Sequence, residues 1–200
     1  MNVLNTQLFE HLNKNQVVGN RQPVKYGASG MSPEQLDAIE TQLGFAMPSD
    51  FRLLLQSIQD SDGVFFEWTD FRLEKYRSSI ERIQSGIDFD IEHNAVWLAR
   101  WGKRPEKLSE AQAVAREDFQ KWPKLFPVSA HRYIAAEPCT SGNPVFSIWQ
   151  TDIIYYGSNL ADYLLCEFAG KRSPDVESFE RRVPIWSDFA EQTQGFSSLG

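Results

Sequence analysis

Residues 145–168 read VFSIWQTDIIYYGSNLADYLLCEF, and this stretch decides the fold. Val145 to Trp149 and Ile153 to Tyr156 are rich in β-branched and aromatic residues, which suit a half-buried pleated surface. Gln150-Thr151-Asp152 has the length of a hairpin loop, so the two runs predict an antiparallel pair. Gly157 and Ser158 end the hairpin. Leu160, Tyr163, Leu164 and Phe168 then recur at helical spacing, with Gly170 as the stop and Cys166 as packing on the helix border.

Upstream of the hairpin, the strand texture begins after Pro127 with Val128 and Arg132-Tyr133-Ile134. Before Pro127 the signals are mainly helical. Ser32-Pro33-Glu34-Gln35 combines a capping serine, a proline fit for the first helical position and a glutamine that closes a capping box. Leu36, Ile39 and Leu43 fall on one face, and Gly44 suits the stop. A second helix starts at Met47-Pro48-Ser49-Asp50, with Phe51, Leu54, Leu55 and Ile58 as its apolar face. After the turn at Asp60-Ser61-Asp62-Gly63, Val64 to Trp68 predicts a short strand. Leu73, Tyr76, Ile80, Ile83 and Ile87 alternate in steps of three and four. They predict an amphipathic helix with Arg72, Glu74, Lys75, Arg77, Glu81 and Arg82 outside. Ser109 and Gln112 predict another capped helix that ends before Pro123.

At the N-terminus, Leu4, Leu8 and Leu12 predict a short helix, followed by a loop marked by Gly19, Pro23, Gly27, Ser29 and Gly30. The tail from Lys171 carries a charged loop and an anchor at Ile185-Trp186 with Phe189. Runs of helices before runs of strands predict an α+β fold: an antiparallel meander packed against helices, covered on one face. The expected organisation is an N-terminal helix and loop over 1–30, a domain over 31–170 with a helical insert at 70–125, and a C-terminal extension over 171–200 packing on the domain.

Two hundred residues, 42% of them hydrophobic, suffice for one core, and six Trp, 14 Phe and six Tyr provide its bulk. Twenty basic against 27 acidic residues give a net charge of -7, which argues against direct nucleic-acid binding and suits a basic protein partner. Cys139 and Cys166 are too few for a disulfide framework, and no C-x-x-C is present. With no signal peptide and no membrane span in the sequence, the expected compartment is the cytoplasm.

No phosphate loop, H-E-x-x-H or G-x-S-x-G occurs, so no catalytic, cofactor or metal residue is assigned. Asp88, Asp90 and Glu92 alternate with Phe89 and Ile91, and on an extended segment the three carboxylates would share one face. A calcium loop needs glycine where His93 stands, so a solvated face or local capping is the plain reading, and a contact surface for a basic partner is the better functional reading than a metal site. His131 and Cys139 invite a nucleophile reading but have no third member. His131 and Arg132 are instead expected to bond locally at the start of the sheet. Trp97, Arg100 and Trp101 crowd one stretch; tryptophan and arginine favour interfaces, while at least one indole is expected to cap the core. Tyr155 and Tyr156 are neighbours on a strand, so one is expected inside and the other available to a partner.

The helix pair, with Glu40-Thr41-Gln42-Leu43-Gly44 closing the first helix and Met47-Pro48-Ser49-Asp50-Phe51 opening the second, resembles the start of a SUKH domain. So does the later order of Gly142-Asn143-Pro144-Val145-Phe146, Ile154-Tyr155-Tyr156-Gly157 and Leu160-Ala161-Asp162-Tyr163-Leu164. The resemblance spans about residues 30–170, more loosely over 70–125. It is greatest to the SMI/KNR-type branch that includes the yeast cell-wall-assembly regulator. It implies an α+β fold and a non-enzymatic, protein-binding role. For bacterial members, that role is an immunity protein neutralising the nuclease or deaminase domain of a polymorphic or contact-dependent toxin. A regulatory or scaffold module is the alternative, and a small metal-dependent enzyme using the Asp88–His93 cluster is the third reading.

Overall fold

The computed structural model describes residues 6–15, 24–60, 63–170 and 181–193. Leu4, Gly19, Pro23, Ser61, Asp62 and the loop over 171–180 lie outside the described residues. In chain order the elements begin with α1 (Thr6–Asn15), β1 (Lys25–Tyr26), α2 (Pro33–Leu43), α3 (Ser49–Gln56) and β2 (Ile58–Gln59). Then come α4 (Leu73–His93), a 3-10 turn (Ala99–Trp101) and α5 (Leu108–Phe119). The sheet strands are β3 (Leu125–Ser129), β4 (Arg132–Ala135), β5 (Val145–Trp149) and β6 (Asp152–Gly157), followed by α6 (Leu160–Ala169) and α7 (Trp186–Thr193). The fold is α+β, with an antiparallel four-stranded meander in the order β3-β4-β5-β6 and a two-stranded β1-β2 ribbon.

The helix pair forms as its caps dictate. Ser32 Oγ accepts the Gln35 N–H, and the Gln35 side chain returns to the Ser32 N–H at 2.8 Å. Gly44 closes α2 at φ 81°, a conformation that costs a glycine nothing. Glu40 then joins the two helices: one carboxylate oxygen accepts the Met47 N–H and the other pairs with Arg52. Leu36, Phe51 and Leu54 are fully buried beneath them.

Strand alternation sends side chains to two cores. Phe126, Val128, Ile134 and Val145 join α1, α2, α3 and α6 on one face. Tyr133, Phe146, Ile148, Ile153 and Tyr155 join α4, α5 and α7 on the other, where Trp186 and Phe189 pack beside Trp122. The expectation that one face is covered is therefore corrected, because helices cover both. The α4–α5 segment is the second helical layer. It leaves the first core at Tyr76, whose hydroxyl donates to the Leu125 carbonyl at the β3 edge.

Two local expectations also change. Val64 to Trp68 is not a strand: it makes one backbone bond to β3, Phe66 N–H to Val128 C=O, and cannot extend the ladder at Pro127, which has no N–H. The Trp68 indole takes the Pro127 carbonyl instead. Ser109 does not cap α5, because it already has helical geometry inside the first turn and the N-cap is Lys107.

Candidate functional site

The β3–β4 turn at Ala130-His131 and the β5–β6 turn at Gln150-Thr151 stand at the same end of the meander, beside the middle of α4. Between them lies a cleft of about 500 Å³, a size typical of sites that take a ligand or a partner side chain. Its floor is Ile83, Tyr133 and Ile148, all buried. Its mouth is Phe89, His131 and Trp149, with Arg82 at the rim. Trp149 keeps 65% of its surface exposed and Phe89 46%. The His131 and Trp149 rings meet edge-on at 6.0 Å between centroids.

The cleft is held open by specific contacts. Ala130 and Gln150 sit at positive φ, 48° and 59°, which side-chain-bearing residues adopt only where the surroundings impose it. Gly86 lets the Gln150 backbone approach α4: a β-carbon there would stand 2.8 Å from the Gln150 Cα. One helical turn further on, the buried Asp90 carboxylate accepts the Thr151 N–H at 2.8 Å and the Thr151 hydroxyl at 2.6 Å, while its other oxygen accepts from Asn94. His131 brings an imidazole to the cleft. Burial, then the adjacent Arg132 charge, lowers its pKa, so the imidazole is neutral near pH 7. The cleft therefore offers apolar and stacking contacts, one neutral imidazole and one guanidinium. Among the described residues, no group of three His, Cys, Asp or Glu side chains comes together as a metal would require.

The structure corrects the acidic patch. Asp88, Asp90 and Glu92 lie on α4, where Asp90 turns away from the face that Asp88 and Glu92 share, so the three do not form one patch. Asp88 pairs with Arg116 at 2.8 Å, Asp90 is 3% exposed inside the turn clamp, and Glu92 is on the surface beside His93. Trp97 and Trp101 form an edge-on pair at 5.0 Å. Trp101 is buried and donates to Asp118, and the half-buried Trp97 donates to the Gly102 carbonyl. Tyr155 is buried against Phe146. Tyr156, half-buried on the opposite face, lies under the Arg132 guanidinium at 3.7 Å. None of these residues lines the cleft. Cys139 is exposed and Cys166 half-buried.

Sequence reasoning missed Phe89 and Trp149. Phe89 carried a signal, since it falls off the Tyr76–Ile80–Ile83–Ile87 stripe and so had to emerge from the helix. Trp149 carried little, because an aromatic at a strand end is equally compatible with burial. No family model, curated protein or solved structure matches the chain.

Proposed function

We propose that this chain is a protein-binding domain that docks its partner at the aromatic cleft, acting as an immunity protein that neutralises a toxin domain. The observation that carries the binding role is the pair of exposed aromatics. Of the large hydrophobic side chains exposed among the described residues, Phe89 and Trp149 stand at this one cleft, and only Leu108 lies elsewhere. Tryptophan at the edge of a preformed apolar pocket is the side chain most favoured to carry binding energy. The toxin-neutralising role rests on the resemblance of the helix pair and the hairpin-helix segment to SUKH proteins.

The test is co-expression with the product of the gene directly upstream of its own. The expected outcome is that the neighbour arrests growth alone, that this chain restores growth, and that the purified pair forms a stable complex. A harmless neighbour, or a toxic one that this chain neither binds nor relieves, overturns the immunity role.

A further inference from the structure

Arg82 occupies an unusual position among the cations of this protein. Arg52, Arg100, Arg116 and Arg182 each close on a carboxylate of the chain. Arg82 makes no ion pair or hydrogen bond among the described residues, yet it stands at the rim of an apolar cleft. Among the described residues, no carboxylate lines that cleft. Asp88 is held by Arg116 and Asp90 is turned inward to Thr151. Asp152, opposite Trp149 in the hairpin register, is not in the lining. Arg77, the other uncommitted arginine on α4, also lies outside it.

We propose that the cleft takes a partner segment in which a large apolar side chain stands beside a carboxylate, the apolar group resting on Trp149 and Phe89 and the carboxylate pairing with Arg82. This rests on the reading of the cleft as a protein-docking site. The apolar walls set the first requirement, because burying the exposed indole and phenyl faces needs an apolar surface of similar size. The lone guanidinium sets the second. A basic segment would place like charges together at a partly desolvated rim, whereas a carboxylate can accept two parallel N–H bonds from the guanidinium fork. The net charge of -7 does not decide the matter, since beyond about 8 Å salt screens exposed charges and the contact at Arg82 is local.

Three capped peptides test this: GSDFDSG, its neutral counterpart GSNFNSG and its basic counterpart GSKFKSG. Each is titrated into the whole protein, with the Trp149 indole N–H followed by NMR. The acidic peptide should shift that resonance and bind about fivefold more tightly than the neutral one, the upper end for an exposed ion pair. Arg82→Gln should erase the difference between these two while leaving the neutral peptide's affinity unchanged, and Arg77→Gln should leave the difference intact. Equal binding of the acidic and neutral peptides, or preference for the basic one, overturns the charge requirement and leaves the cleft as a docking site. Failure of all three to move the Trp149 resonance overturns the docking site itself.

Discussion

The Cα of Gln150 lies 2.8 Å from where a β-carbon on Gly86 would stand, so the hairpin turn and α4 touch through a missing side chain. Gly86 is inside a 21-residue helix. Helix propensity alone makes Gly→Ala there stabilising by about 1 kcal/mol. The contact with backbone, which cannot rotate away, opposes this. Gly86→Ala is therefore expected to destabilise the protein by about 1–3 kcal/mol, the cost of overpacking. Urea unfolding measures it, with Ser85→Ala as the exposed control. A gain in the unfolding midpoint would mean that the turn is not fixed against α4.

Asp90 lies one turn further along the same face and clamps the same hairpin turn. Asp90→Ala leaves the Thr151 N–H without its acceptor at a part-buried site, an expected loss of about 1–3 kcal/mol. Thr151→Val removes only the hydroxyl bond and should cost about 1 kcal/mol. The two losses should not add, because both variants break one shared contact. Glu92→Gln, on the exposed side, should stay within about 0.5 kcal/mol of the parent. Denaturant midpoints of the parent, the three single variants and the Asp90→Ala/Thr151→Val double variant measure the pattern. Equal losses for Asp90→Ala and Glu92→Gln would restore the view of these carboxylates as one surface patch.

The contrast between Asp90 and Phe89 shows what could be read in advance. The meander, the helix pair and the α4 stripe follow from periodicity and capping, which are local, and the structure contains them. Asp88, Asp90 and Glu92 were placed on an extended segment although the Tyr76–Ile87 stripe continues directly into Ile91. Carrying the helical period four residues further turns Asp90 away from Asp88 and Glu92. The second helical layer did leave a trace, because strands buried on both faces, such as Leu125–Ser129 and Val145–Trp149, lack the alternation that marks a solvated side. The cleft was not legible. It arises from Gly86 and Gln150, 64 residues apart in sequence, and no local pattern records their approach.

Asp118 gives the protein a predictable acid limb. Its carboxylate accepts from the indoles of Trp122 and Trp101 and from Arg100. Burial pushes its pKa up, but the hydrogen bonds from Trp122 and Trp101 and the charge of Arg100 outweigh this and leave it below the ordinary value of 3.8. A depressed folded-state pKa means that the unfolded chain takes up the proton first. The stabilisation is thus complete above pH 3.8 and is lost as pH falls through the lower folded value. Asp118→Asn should cost about 1.5–3 kcal/mol at pH 7. Its deficit should shrink as the pH is lowered toward 3. Urea unfolding across this range, followed by circular dichroism, measures both. A deficit that is constant with pH would show that the loss comes from packing and not from the charge.

Trp149 and Trp101 separate binding from folding. Trp101 is 8% exposed and donates to the Asp118 carboxylate, so Trp101→Ala should cost about 3–5 kcal/mol of stability. Any loss of binding in that variant would then follow from loss of fold. Trp149 is 65% exposed, and its described ring contact is with His131. Trp149→Ala should therefore leave the urea midpoint within about 0.5 kcal/mol of the parent. If the cleft docks the partner, the same change should weaken binding by at least about 2 kcal/mol, near thirtyfold, mainly through faster dissociation. Phe89→Ala should act in the same direction and less strongly, since a phenyl offers less area and no N–H donor. Surface plasmon resonance against the partner identified by co-expression, beside urea unfolding of each variant, measures the two effects separately. Trp149→Ala with parental affinity would move the docking site away from the cleft, whatever the partner's identity, and Tyr156 under Arg132 would be the next aromatic to replace.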